Sequence, residues 1–389
     1  MALIVPDFLA ELAADDTAIV VVVVAARLLV PLLIPRFPLV IIAALVLDGI
    51  DNGVLAQFTD VDLSADGPYQ SWDKALDIYY LAIAYLATMR NWTSDAAFRI
   101  SQFLFYYRLV GVMLFELLDS RLMLLIFPNT FEYFFIVVEV IRLRFDPSRV
   151  SARFWLLTAA GLWVFVKLPQ EYWIHIAQRD MTDTIVENPV VGVVMALGVI
   201  ILLGVAQFVV RPRLPEPAWG WRFAADPLVT SVRDAHERYS RRLRRGRVVW
   251  GELAEKVALL GLLGIIFASV IPNVEAPPLQ VALGVVLIVG ANTAISMRFA
   301  LSGRAGEGRA VARFAALVVA NLALVFLGHS LLAGDAFQLG TGLFFAGLTT
   351  LILWLFDVYR PIYDARFDSS PLGVTSVTDF VRRVRTATA

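Results

Sequence analysis

The chain has 389 residues, 59% of them hydrophobic and 17% charged, with a formal net charge of −1 at pH 7. Soluble domains carry about 45–50% apolar and about 25% charged residues, so this composition suits lipid rather than water. There is no cysteine, which excludes disulfides, thiolate metal sites, cysteine nucleophiles and cysteine-ligated iron–sulfur clusters.

A backbone in hydrocarbon must satisfy its own hydrogen bonds, which leaves helices or closed barrels. Barrel strands alternate apolar and polar residues over about ten positions, whereas the apolar runs Val190–Val210 and Leu279–Ala300 do not alternate. The chain is therefore expected to be all-α, a polytopic membrane bundle of about eleven transmembrane helices. Residues 1–16 carry Asp7, Glu11, Asp15 and Asp16 and no basic stretch, so no cleaved signal peptide is expected there. Spans follow at 17–34, 38–58, 71–90, 96–118, 121–143, 152–168, 189–210, 252–271, 279–299, 311–332 and 338–358. Pro35-Arg36-Phe37-Pro38 is short and stiff, and predicts a tight hairpin between the first two. Pro128 should kink the fifth. After the sixth, Lys167 to His175 reads as an amphipathic piece at the outer interface, with Tyr172 and Trp173 at headgroup level.

Arginine sets the expected orientation. Segment 211–250 carries ten arginines, and 142–153, 298–313 and the C-terminal tail are basic too. The alternate loops hold Asp60, Asp62 and Asp66, then Glu171, Asp180, Asp183 and Glu187, then Glu275, then Asp335. An odd number of spans puts every basic loop on one side, with the N-terminus outside and the C-terminus cytoplasmic. A multi-pass protein of a cell membrane is expected, in a bacterial plasma membrane. The run Arg241–Arg247 is first a topology signal and second a contact for anionic lipid, with no nucleic-acid partner expected.

Chain order suggests a seven-helix part at 1–210, a basic linker at 211–250, a four-helix part at 251–360 and a tail at 361–389. The seven-helix part is rich in aromatics and intramembrane charge; the four-helix part is nearly uncharged. Ser151-Ala152-Arg153-Phe154 is echoed by Val311-Ala312-Arg313-Phe314, so a parallel repeat of spans four to seven and eight to eleven is one option. Arg-Phe at a cytoplasmic helix start is common, which is the other.

Charges within spans cost roughly 2.5–3.5 kcal/mol each at the helix centre, so those present mark sites. Asp48 and Asp51 lie deep in the second span at i,i+3, on one face. Gly49 and Gly53 beside them weaken the helix and predict a local break or a close backbone approach. Asp73 and Asp77 open the third span, Arg108 and Glu116 lie in the fourth, and Glu132 follows Pro128 in the fifth. If these helices share one bundle, Asp48, Asp51, Asp77, Glu116 and Glu132 outnumber Arg108. The surplus acid must then bind a cation, hold protons or meet water. The bland alternative has Arg108 pair with Asp48 as a staple while the other acids snorkel. His175 is a candidate roof for the site.

The Asp48/Asp51 pair departs from the motif of CDP-alcohol phosphotransferases, since no Ala-Arg follows and the later aspartates differ in spacing. Intramembrane prenyltransferases carry cytoplasm-facing aspartates, unlike these, and no family is recognised. The first expectation is a transporter or ion-coupled carrier, with Asp48 and Asp51 binding Na+ or protons and Arg108 tuning them. The alternative is a membrane enzyme acting on a lipid or lipid-linked sugar at the outer leaflet. There Asp51, Asp73 and Asp77 hold Mg2+ or Mn2+, and His175 is a candidate base. A third reading is a non-catalytic subunit of a membrane assembly.

Overall fold

A computed structural model describes residues 14–61, 68–177, 184, 188–227, 237, 250–270, 278–301, 307–332 and 339–367. All regular structure among the described residues is helical. In chain order the helices are α1 (Ala14–Leu29), α2 (Val40–Phe58), α3 (Pro68–Asn91), α4 (Asp95–Leu118), α5 (Leu122–Ile126), α6 (Thr130–Arg142) and α7 (Ala152–Leu162). Then come α8 (Leu168–Glu171), α9 (Pro189–Val205), α10 (Trp250–Val270), α11 (Pro278–Leu301), α12 (Glu307–Leu332) and α13 (Leu339–Phe367). Each expected span contains helix among the described residues.

Among the described residues, seven helical segments are long and apolar enough to cross a membrane: Asp16–Leu33, Val40–Phe58, Asp95–Leu118, Leu122–Arg142, Ala152–Ile176, Pro189–Arg213 and Leu343–Phe367. The chain is a helical membrane protein. α3 lies outside that set because Asp73, Lys74 and Asp77 crowd its first half. Its environment explains this: from Ala75 to Met89 most side chains are buried, several completely. A helix jacketed by protein needs no apolar coat of its own.

The chain forms two compact units, Met1–Asn91 with Ala224–Gly373 and Trp92–Phe223 with Val374–Ala389. The first thus joins α1–α3 to α10–α13, whereas the expected parts, 1–210 and 251–360, follow chain order. The basic run Arg241–Arg247 lies outside the described residues.

In the first unit, α1 and α2 form the expected hairpin, closed by Phe37 N donating to the Leu33 carbonyl at 2.7 Å. α3 is pinned to it by Arg90 Nη1 and Asn91 Nδ2, which donate to the Pro35 carbonyl at 2.9 and 3.1 Å. On the other side, Asn292 and Asn321 exchange hydrogen bonds at 2.7 and 3.1 Å, and Asn321 also donates to Thr350 at 2.6 Å. This joins α11, α12 and α13, the interhelical role expected of single polar residues in lipid.

The C-terminal helices are less apolar than chain order suggests. Lys256 Nζ donates to Asp357 at 2.7 Å, Ser296 donates to the same carboxylate at 2.6 Å, and Arg360 pairs with Glu255 and with Asp364, the latter at 3.2 Å. Tyr85 of α3 also donates to Glu255. Glu255, Lys256 and Asp357 fall within the expected spans 252–271 and 338–358, and Arg360 just beyond the last. In the fold they are a buried clamp across α3, α10, α11 and α13.

The second unit is organised around aromatic rings. Trp92, Phe98, Phe105, Phe131, Phe134, Phe135 and Trp155 are essentially inaccessible to solvent. Trp92 Nε1 donates to Glu139 at 2.7 Å, and Arg142 Nε donates to the same carboxylate at 2.5 Å. Ser94 and Ser151 cap α4 and α7, accepting from Ala97 N and Phe154 N at 3.3 and 3.2 Å. Pro128 interrupts the fifth span as expected, separating α5 from α6. The break nestles on Gly111 of α4, where a Cβ would stand 2.1 Å from Phe127 Cβ.

The helix from Ala152 does not stop at 168. It continues to Ile176 through π-helical turns at Trp163–Lys167 and Tyr172–Ile176, on either side of Pro169. Proline lacks an N–H and its ring collides with the preceding turn, and the wider π turns absorb that conflict. The stretch expected to be a separate interfacial piece therefore continues the helix that begins at Ala152.

Candidate cation centre

Four aspartates meet one arginine in the first unit. Arg27 lies in the last turn of α1, Asp48 and Asp51 stand midway along the 19-residue α2, and Asp73 and Asp77 sit one turn apart on α3. Arg27 Nη1 donates to Asp51 and Asp73, and Nη2 donates to Asp48 and Asp77. Tyr69, at the start of α3, donates its hydroxyl to Asp51 at 2.8 Å.

The centre has a floor and an open side. The side chains of Arg27 and Asp51 are 3% and 2% exposed, whereas those of Asp48 and Asp77 are 25% and 43% exposed. One guanidinium against four carboxylates leaves three formal negative charges. Within a helix bundle that surplus calls for a cation or protons. One oxygen from each of Asp48, Asp73 and Asp77 lies within 4.8 Å of the other two. A hard divalent cation binds oxygens at about 2.0–2.6 Å, so its ligand shell is about 4–5 Å across. Asn52, one turn beyond Asp48, has its side-chain oxygen buried without a hydrogen-bond partner among the described residues.

α2 is continuous from Val40 to Phe58. The expected break or close approach at Gly49 and Gly53 is absent, since a Cβ at either would meet nothing within 4 Å. In lipid a backbone must satisfy its own hydrogen bonds, which outweighs the modest helix penalty of two glycines.

The remaining expected residues lie in the second unit. Arg108 does not pair with Asp48: its Nη1 donates to the Phe127 carbonyl at 3.1 Å and stands 3.9 Å from Glu171. Glu132 accepts from Asn129 Nδ2 at 3.0 Å and lies 3.9 Å from Lys167 Nζ, which in turn sits 3.9 Å over the Tyr133 ring. His175 Nε2 is 3.0 Å from Glu171, which also accepts from Asn129 N at 3.0 Å. Lys167, Glu171 and His175 recur every four residues along one face, directed at the Pro128 break. Two acids and two permanent cations make this a balanced network, unlike the aspartate centre. Glu116 lies two residues from the end of α4.

Sequence reasoning missed Arg27 and Tyr69. Arg27 was visible as the sole base inside the first span, but its partners lie on two other helices. Compared with known protein families, curated proteins and solved structures, the chain matches none.

Proposed function

We propose that this protein is a membrane enzyme whose aspartate centre holds a divalent cation and, through it, the phosphate of a lipid or lipid-linked sugar. The observation that carries this reading is the convergence of Asp48, Asp73 and Asp77 oxygens within one ligand shell. A cation of charge two offsets most of the three surplus negative charges, where a monovalent ion leaves two. Mg2+ and Mn2+ characteristically use a few carboxylates and complete their shell with water and substrate phosphate. The exposed edges of Asp48 and Asp77 leave room for that. Asp51, held by Arg27 and Tyr69, positions the guanidinium rather than serving as a metal ligand.

A carrier using Na+ or protons at the same acids is the second reading, favoured by the charge surplus alone. It loses the weakened helix at Gly49 and Gly53 that made a moving α2 attractive. The arginine pattern supports an orientation with the centre toward the outer side, away from the Pro35–Pro38 hairpin.

Thermal stability of the purified full chain across Mg2+, Mn2+, Ca2+, Na+, K+ and a pH series separates the two. A ligand at a hundredfold excess over its dissociation constant stabilises the folded state by about 2.7 kcal/mol. Stabilisation by Mg2+ or Mn2+, lost in Asp77→Asn, is the expected result. Stabilisation by Na+ or by acid alone replaces the enzyme with the carrier.

A further inference from the structure

Residues 211–223 follow the π-helical turn Ala206–Val210 that extends α9, and in the fold they cap the end of α6. Ala218 N donates to the Arg144 carbonyl at 2.9 Å, Arg222 N to the Leu143 carbonyl at 3.0 Å, and Trp219 Nε1 to the Arg142 carbonyl at 2.9 Å. These bonds satisfy carbonyls that a helix end leaves open, and they fix the segment where two membrane-crossing helices finish. Against this anchored backbone, Trp221 and Phe223 remain 65% and 62% exposed and stack on each other with ring centres 6.5 Å apart. Two large rings held in the open by a rigid loop have an apolar medium to face.

Arginines alternate with these rings. Arg144 lies 5.3 Å over Trp221 and Arg222 lies 4.6 Å over Trp219, while Arg211 and Arg213 are exposed just before them. Glu216 is the only acid within 211–223, and nearby Asp146 is engaged with Arg149 at 3.6 Å. Arg144 Nε is buried without a hydrogen-bond partner among the described residues. Rings at headgroup depth beside guanidinium groups are suited to an interface of acyl chain and anionic phosphate.

We infer that the segment 211–223, with Arg144, is a docking surface for anionic phospholipid headgroups at the membrane edge where α6 and α9 end. The rings enter the acyl boundary, and the guanidinium groups of Arg144 and Arg222 take the phosphate. The surface uses no residue of the aspartate centre.

The full chain in detergent is titrated with phosphatidylglycerol, phosphatidylcholine or inorganic phosphate, and its thermal midpoint is followed. Wild type should gain several degrees from phosphatidylglycerol and almost nothing from the other two. Arg144→Gln with Arg222→Gln should lose more than half of that gain. Phe223→Ser, an exposed position that leaves the fold alone, should lose part of it and supplies the test if the double variant does not fold. An undiminished gain in the variant that folds overturns the inference, as does an equal gain from inorganic phosphate.

Discussion

Arg27→Met tests the physics of the aspartate centre most severely. The substitution keeps an unbranched apolar stem and removes the guanidinium that touches Asp48, Asp51, Asp73 and Asp77. Removing one member of a buried ion pair typically costs about 3–5 kcal/mol, because the partner stays charged in a poor solvent. Asp48 and Asp77 are 25% and 43% exposed and retain some hydration, whereas Asp51 is 2% exposed. Tyr69 continues to donate to Asp51 at 2.8 Å, so the expected loss is near the lower end, about 3 kcal/mol. Adding Asp51→Asn removes the trapped charge as well and should return the protein to within about 1 kcal/mol of wild type. Reversible unfolding in mixed detergent–dodecyl sulfate micelles with chelator present measures these differences. Mg2+ should then stabilise Arg27→Met more than wild type, since the variant leaves four uncompensated carboxylates. A single variant as stable as wild type in chelator would mean that the acids are not held by Arg27, and the argument from surplus charge would fail.

Gly111→Ala forces a Cβ to 2.1 Å from Phe127 Cβ and should cost about 1–3 kcal/mol by overpacking, read in the same unfolding assay; Gly49→Ala, with nothing within 4 Å, is the matched control and should be neutral or slightly stabilising. Glu139→Gln removes the carboxylate that accepts from the buried Arg142 guanidinium and from Trp92; a loss of about 3–5 kcal/mol is expected, and an unchanged midpoint would show that Trp92 and Arg142 need no charge between them.

Much of the fold is legible in the sequence because lipid imposes a strong and local constraint. Continuous apolar runs of spanning length mark helices, and Pro35 with Pro38 and Pro128 mark a hairpin and a break where the structure has them. Legibility fails where two physical effects compete. Lys167 to His175 reads as a separate interfacial piece, yet π turns on either side of Pro169 carry the helix from Ala152 through it. Gly49 and Gly53 read as a weak point, yet α2 is uninterrupted. The four-helix part reads as nearly uncharged, yet Glu255, Lys256 and Arg360 are buried in interhelical pairs. The site was half legible: the aspartates announced themselves by depth, but their counter-ion is set by tertiary packing. Arg108 had the right charge and depth and the wrong partners, while Arg27 reaches the cluster from a helix end. No local spacing rule distinguishes those two arginines.

The central claim is a divalent cation at Asp48, Asp73 and Asp77, and electron paramagnetic resonance of Mn2+ titrated into the purified chain tests it most directly. The account predicts saturable binding by wild type, displaced by Mg2+ but not by Na+, and sharply weakened in the half-exposed variant Asp77→Asn. No saturable Mn2+ in wild type, or equal binding by Asp77→Asn, contradicts it.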